Sequence, residues 1–253
     1  MCEKTRDSGD SRRPYIGILG WEAGNPDTLA QLESIPGNIA HPETFDFPVA
    51  YERVAGAHYQ TVVVSPDTDV LASMQDTARA MEQRGVRAIL TSCGFNAVFQ
   101  RELAGAVNVP VFASALLQVP LVHRMLRPNQ CVGILTAAKR HLTRAHLANV
   151  GITDEIPVCI AGLESSEEFS RVLADPRAEP DVRKLESDVV ALAQHLVAQN
   201  RDIGALVLEC TDLPPFAAAL RHALGLPVFD IVTLANWVYE SICGDRWSRS
   251  NNV

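Results

Sequence analysis

Short runs of consecutive apolar, β-branched residues recur at residues 15–19, 61–65, 87–91, 110–113, 131–136, 157–160, 205–208 and 227–230, each bounded by turn or breaker residues. Unbroken rather than alternating hydrophobicity marks strands buried on both faces, the pattern of a parallel sheet covered by helices. Between these runs the period lengthens. Residues 69–84 place Val70, Met74, Thr77, Ala78 and Met81 at helical spacing, and Gly85 stops the helix. Residues 181–199 repeat the pattern with Val182, Leu185, Val189, Leu192, Leu196 and Val197. Strand and helix in alternation predict an α/β fold.

The pattern also repeats on a larger scale. Shifted by 117 residues, 86–121 falls without a gap on 203–238: Ala88 meets Ala205, Cys93 meets Cys210, Phe99 meets Phe216, and Pro110-Val111-Phe112 meets Pro227-Val228-Phe229. Upstream, Gly17-Ile18-Leu19 matches Gly133-Ile134-Leu135 at an offset of 116. Such a repeat predicts two pseudo-symmetric parallel-sheet lobes, three-layer αβα with flavodoxin-like halves, and an active site in the cleft between them. The first lobe is expected over 14–120 and the second over 121–243, whose last helix packs back on the first. Residues 1–13 read as a disordered tail and 244–253 as a C-terminal tail.

Size and charge narrow the function classes. A chain of 253 residues can bury a sizeable core. Its net charge of −8, from 22 Lys+Arg against 30 Asp+Glu, and the absence of a basic stripe interleaved with aromatics argue against a nucleic-acid partner. No stretch approaches the roughly 20 apolar residues of a membrane span, and residues 1–13 lack the apolar core of a secretion signal. The six cysteines form no C-x-x-C pair, so reduced thiols in the cytoplasm are expected. Neither a metal nor a cofactor is expected. His141 and His146 are five residues apart, not four as in paired helical ligands, and read as surface histidines. Glycines 17, 20 and 24 do not form a dinucleotide fingerprint.

In each half a cysteine leaves a buried strand and precedes a helix, in Thr91-Ser92-Cys93-Gly94-Phe95 and in Leu208-Glu209-Cys210-Thr211-Asp212. The carboxyl ends of such strands are where open α/β sheets bind ligands, and the following helix offers unpaired N–H groups. A lone cysteine there is more often a buried structural residue. Two at repeat-related positions face each other across the cleft. One thiolate can then take a proton from carbon and the opposite thiol return one, with backbone N–H groups holding the developing enediolate.

These residues carry a resemblance. Cys210-Thr211-Asp212-Leu213-Pro214 is similar to the C-T-[EH]-x-P signature of the aspartate/glutamate racemase superfamily, which includes hydantoin racemases, maleate isomerases and arylmalonate decarboxylases. The likeness runs from Tyr15 to Cys243. It implies Cys93 and Cys210 as the catalytic acid and base and Asp212 as an orienter of the second cysteine. It implies Thr136 at the substrate carboxylate, with Thr211 as a further substrate-binding residue; the first loop, Gly20-Trp21-Glu22-Ala23-Gly24, differs from the family in carrying a tryptophan, and Trp21 is a substrate-binding candidate with core packing as the alternative. The first motif departs from the amino-acid racemase pattern C-N-T-A: Gly94 and Phe95 replace its polar pair, and Asn96 is displaced by two positions. That change predicts a substrate with one carboxylate beside an apolar group in place of aspartate or glutamate. The function expected is therefore a cofactor-independent racemase or epimerase of a small amino-acid-like carboxylate, acting as a homo-oligomer, a dimer. The alternatives are a cis–trans isomerase or decarboxylase of a small dicarboxylate, or a non-catalytic carboxylate-binding protein.

Overall fold

The computed structural model describes residues 15–22, 30–175 and 177–243. Both terminal tails expected from the sequence lie outside the described residues. Among the described residues, eight strands form two four-stranded, wholly parallel sheets. In the first lobe β1 (Ile16–Gly20), β2 (Val49–Arg53), β3 (Ala88–Thr91) and β4 (Val111–Phe112) lie in the order β2-β1-β3-β4. In the second, β5 (Cys131–Thr136), β6 (Val158–Gly162), β7 (Ile203–Leu208) and β8 (Val228–Phe229) lie in the equivalent order β6-β5-β7-β8. The repeat read from sequence is thus a repeat of topology. Every side chain of β1, β3, β5 and β7 is buried, the reason for their continuous apolar runs. Each fully buried aliphatic side chain contributes about 1.5–3 kcal/mol.

The helices are α1 (Ala30–Glu33), α2 (Thr68–Gln83), α3 (Gln100–Ala104), α4 (Val119–Met125), α5 (Arg144–Asn149), α6 (Glu167–Ala174), α7 (Val182–Gln199), α8 (Ala217–Leu224) and α9 (Ile231–Cys243). In α2 the Asp67 side chain caps the N-terminus through Asp69 N–H, and Val70, Met74, Ala78 and Met81 are buried. Gly85, at φ +96°, ends it in a conformation that only glycine adopts freely. In α7 the Asp181 side chain accepts from Arg183 and Lys184 N–H. The closing helices cross between lobes: α9 packs on β3 and stacks its Tyr239 on Phe47, just before β2, at 3.7 Å, and α4 packs on β5. Among the described residues no helix is long and apolar enough to cross a membrane.

Two expectations fail locally. Residues 61–65 are not a strand: Gln60–Val64 forms a single wide helical turn that buries Val62 and Val63. The sheet position beside β1 belongs to β2, whose side chains are only half-buried at the edge and whose Val-Ala-Tyr-Glu-Arg sequence lacks the apolar run of an inner strand. His146 is not a surface residue either. It is 2% exposed, forms a reciprocal cap with Thr143 at the start of α5, and meets the Phe95 ring edge-on at 5.5 Å. Desolvation lowers its pKa to about 4.

Candidate active site

One cavity opens where β3 and β7 end, and both Cys93 and Cys210 line it. The local sequences dictate this. Thr91 closes β3 fully buried, and its hydroxyl donates to the Cys93 and Ala113 carbonyls at 3.0 and 2.8 Å, turning the chain. Cys93 stays extended at the start of a short helical turn, Gly94–Phe99, where Asn96 N–H donates to its carbonyl at 3.1 Å. After β7, Glu209 N–H still donates to Leu135 O at 2.8 Å, Cys210 opens the next turn, and Thr211 donates its hydroxyl to Ser92 O across the lobes.

Cys210 has a side-chain partner of its own. Its thiol donates to Asp212 Oδ2 at 3.7 Å, while Asn38 Nδ2 donates to Asp212 Oδ1 at 2.7 Å and to Leu32 O at 3.1 Å. Asn38 is itself held by Ala40 N–H on its Oδ1, at 2.9 Å. Burial pushes Asp212 up to about 6, against the lowering pull of the Asn38 bond. Burial also pushes both thiols well above the ordinary range, aided at Cys210 by the Asp212 charge and at Cys93 by Glu209. Both cysteines are therefore thiols at neutral pH, and among the described residues only Cys210 hydrogen-bonds a carboxylate. Asn38→Ala removes the donor that favours the Asp212 carboxylate, so the Asp212 pKa rises above 6. The expected result is an acid limb of the pH–rate profile moved upward and a loss of about 1–3 kcal/mol in stability, checked by pH-dependent kinetics and denaturant melts.

The other expected residues fall differently. Gly94, Phe95, Thr211 and Trp21 line the cavity, although Phe95 also packs inward at 2% exposure. Asn96 is buried and does not line it. Thr136 does not reach the cavity; its hydroxyl donates to Glu209 Oε2 at 2.6 Å from behind the wall. Its partner Glu209 carries no role implied by the sequence motif. Glu209 is wholly buried, and burial with the nearby Asp212 charge raises it to about 8. A Cβ on Gly94 would lie 2.1 Å from Glu209 O and 2.4 Å from Oε1. The glycine there is thus the space that Glu209 fills, and the first motif's departure is not a simple loss of polar partners.

Tyr59, Val63, Phe169, Leu173 and Glu33 complete much of the wall. Glu33 is neutralised by Arg53, whose guanidinium donates to both its carboxylate oxygens at 3.0 and 2.6 Å. No basic side chain lines the cavity among the described residues. Nor does any group of three or more His, Cys, Asp or Glu side chains there suit a metal ion. One cue to Glu209 was available: a carboxylate directly after the apolar run 205–208 must be buried and therefore accounted for. Asn38, in a loop far off in sequence, gave none.

A family model described as Asp/Glu/hydantoin racemase matches residues 63–238. Among curated proteins the chain is similar to a dimethylsulfoniopropionate lyase of Durusdinium sp. clade D, 31% identical over 80% of this chain and 69% of that one. It is also similar to dimethylsulfoniopropionate lyase 3 of Emiliania huxleyi, 29% identical over 94% of this chain and 62% of that one, so it spans less than two thirds of the latter's length. Among solved structures, allantoin racemase from Pseudomonas fluorescens superposes with a TM-score of 0.60 at 16% identity, covering 90% of each chain. An arylmalonate decarboxylase variant in a sulfate-associated form gives 0.59 at 17%, covering 92% of this chain and 94% of that one. The two structures share the two-lobe fold. The names of the curated relatives correct the expectation of racemisation or epimerisation: a lyase- or decarboxylase-type reaction, the alternative weighed on the sequence, fits them better.

Proposed function

Since the chain belongs to the Asp/Glu/hydantoin racemase family, a family of enzymes, we propose that it is a lyase removing an α-proton from a small carboxylate while a cationic group leaves the β-carbon. The substrate that fits is dimethylsulfoniopropionate or a close onium analogue. Cys210 is the base and Asp212 takes on its proton. As the α C–H bond breaks, its electron pair forms the C2–C3 double bond. The C3–S bond breaks with its pair going to sulfur, giving neutral dimethyl sulfide and acrylate. The proton passes from Cys210 and Asp212 to solvent. One base suffices, because the sulfide departs without needing a proton. Cys93, on the first-lobe side, positions the substrate.

The observation that carries this reading is the Cys210–Asp212 pair in the wall of a shared cavity. The wall also suits the substrate. Tyr59 and Phe169 put aromatic side chains in the wall for an onium group, and the Asp212 carboxylate disfavours the second negative charge of a dianion such as a malonate. Headspace assay with the purified chain tests it. Dimethyl sulfide is expected from the sulfonium substrate, with none from the uncharged 3-(methylthio)propionate and no carbon dioxide from methylmalonate. Turnover of methylmalonate in preference to the sulfonium compound would replace this reading with a decarboxylase.

A further inference from the structure

Three polar atoms in the cavity wall make no geometric hydrogen bond among the described residues: the Trp21 indole Nε1, the Ser92 Oγ, which lies beside the Tyr51 hydroxyl, and the Glu209 Oε1. Trp21 is 6% exposed and Glu209 fully buried. Buried donors and acceptors are almost always paired, so three orphans lining one cavity mark the place where a polar ligand group sits. The backbone brings their three segments together. Ser92 N–H donates to Leu19 O, two residues before Trp21, and a Cβ on Gly94, two residues after Ser92, would meet Glu209 Oε1 at 2.4 Å.

We infer that Trp21, Ser92 and Glu209 form the carboxylate-binding end of the cavity, with Glu209 donating through Oε1 as the neutral acid. This deepens the lyase reading and rests on it. Among the described residues no basic side chain lines the cavity, so the donors they offer a substrate carboxylate are neutral ones. An ionised Glu209 would repel it and would oppose any thiolate beside it. The titratable groups that bear on Glu209 from the surrounding elements are Asp212, Cys210 and Cys93; Glu33, further round the wall, is committed to Arg53. None of these favours a charged Glu209, and burial raises it to about 8. The Thr136 hydroxyl donates to Oε2, which leaves Oε1 to carry the proton. When the α-proton departs, negative charge moves onto the substrate carboxylate, where a neutral acid in a dry wall strengthens its hydrogen bond. Asp212 at about 6 and Glu209 at about 8 are then one carboxylate and one acid over the same pH interval.

Propionate, which has the carboxylate but no leaving group, is the probe. Its binding is followed by calorimetry on the full chain at pH 6.5 and 9.5, with thermal melts to verify folding. Wild-type affinity is expected to fall at least tenfold between these values, as Glu209 ionises. Glu209→Gln, a neutral isostere with a donor, should hold within about threefold of the wild-type affinity at pH 6.5 and lose the fall. Trp21→Phe and Ser92→Ala should each weaken binding several-fold and keep it. A pH-independent wild-type affinity overturns the proposal, as does a folded Glu209→Gln that retains the fall or binds no propionate at pH 6.5. If Glu209→Gln does not fold, Trp21→Phe and Ser92→Ala decide: unchanged affinity in both is equally contrary. Binding of this kind without elimination removes the lyase reading and leaves the subsite; elimination without it does the reverse.

Discussion

Cys210→Ser is expected to lower the elimination rate about 10³-fold while leaving fold and substrate affinity nearly unchanged. A positioned general base contributes typically 10²–10⁴-fold. A serine hydroxyl in this place cannot stand in, because its proton is held far more tightly than that of a thiol and Asp212, at about 6, is too weak a base to remove it. The exchange is close to isosteric at a site 7% exposed, so near-UV circular dichroism should superpose on the wild type. Cys93→Ser is expected to cost less, and more in KM than in kcat, since that thiol has no carboxylate partner and elimination needs one base. Equal losses in kcat for both variants would return the two thiols to equivalent chemical roles.

Gly94→Ala should be nearly as damaging, by a different route. The added methyl would lie 2.1 Å from the Glu209 backbone oxygen, a main-chain atom of a residue that follows β7 directly and is anchored through its N–H to Leu135 O, so it cannot swing aside as a side chain would. The backbone on one side must shift, and overpacking of this kind costs about 1–3 kcal/mol, occasionally more. The same shift moves Cys93 on the substituted side and Glu209 on the other. A fall of several degrees in melting temperature with at least 10²-fold lower turnover is expected; wild-type activity in this variant would show that the two loops do not need their close approach.

The fold was largely legible because its signals are local. Inner strands such as 131–136 are buried on both faces and wrote themselves as apolar runs, and the 117-residue shift that superposes Cys93 on Cys210 carried the second lobe. Strand β2 was hidden because its half-buried Val-Ala-Tyr-Glu-Arg sequence lacks the apolar run of an inner strand, and 61–65 misled because its valines pack as a helical turn. The site was legible only where chemistry and repeat coincided. Cys93 and Cys210 stood out, whereas Asn38 comes from a loop with no periodic signal, 174 residues from the Asp212 it orients. Gly94 read as a lost polar partner because the carboxyl group that fills its space comes from the other lobe. The reaction type was least legible: the same thiols in the same fold can serve racemisation or elimination, and the difference lies in the substrate's leaving group.

The most direct measurement is proton NMR of dimethylsulfoniopropionate incubated in heavy water with the wild-type chain and with Cys210→Ser. The wild type is expected to convert it to acrylate and dimethyl sulfide in equal amounts, and Cys210→Ser to leave it intact over the same period. Unreacted substrate with the wild type, or equal conversion by the variant, would contradict elimination by Cys210.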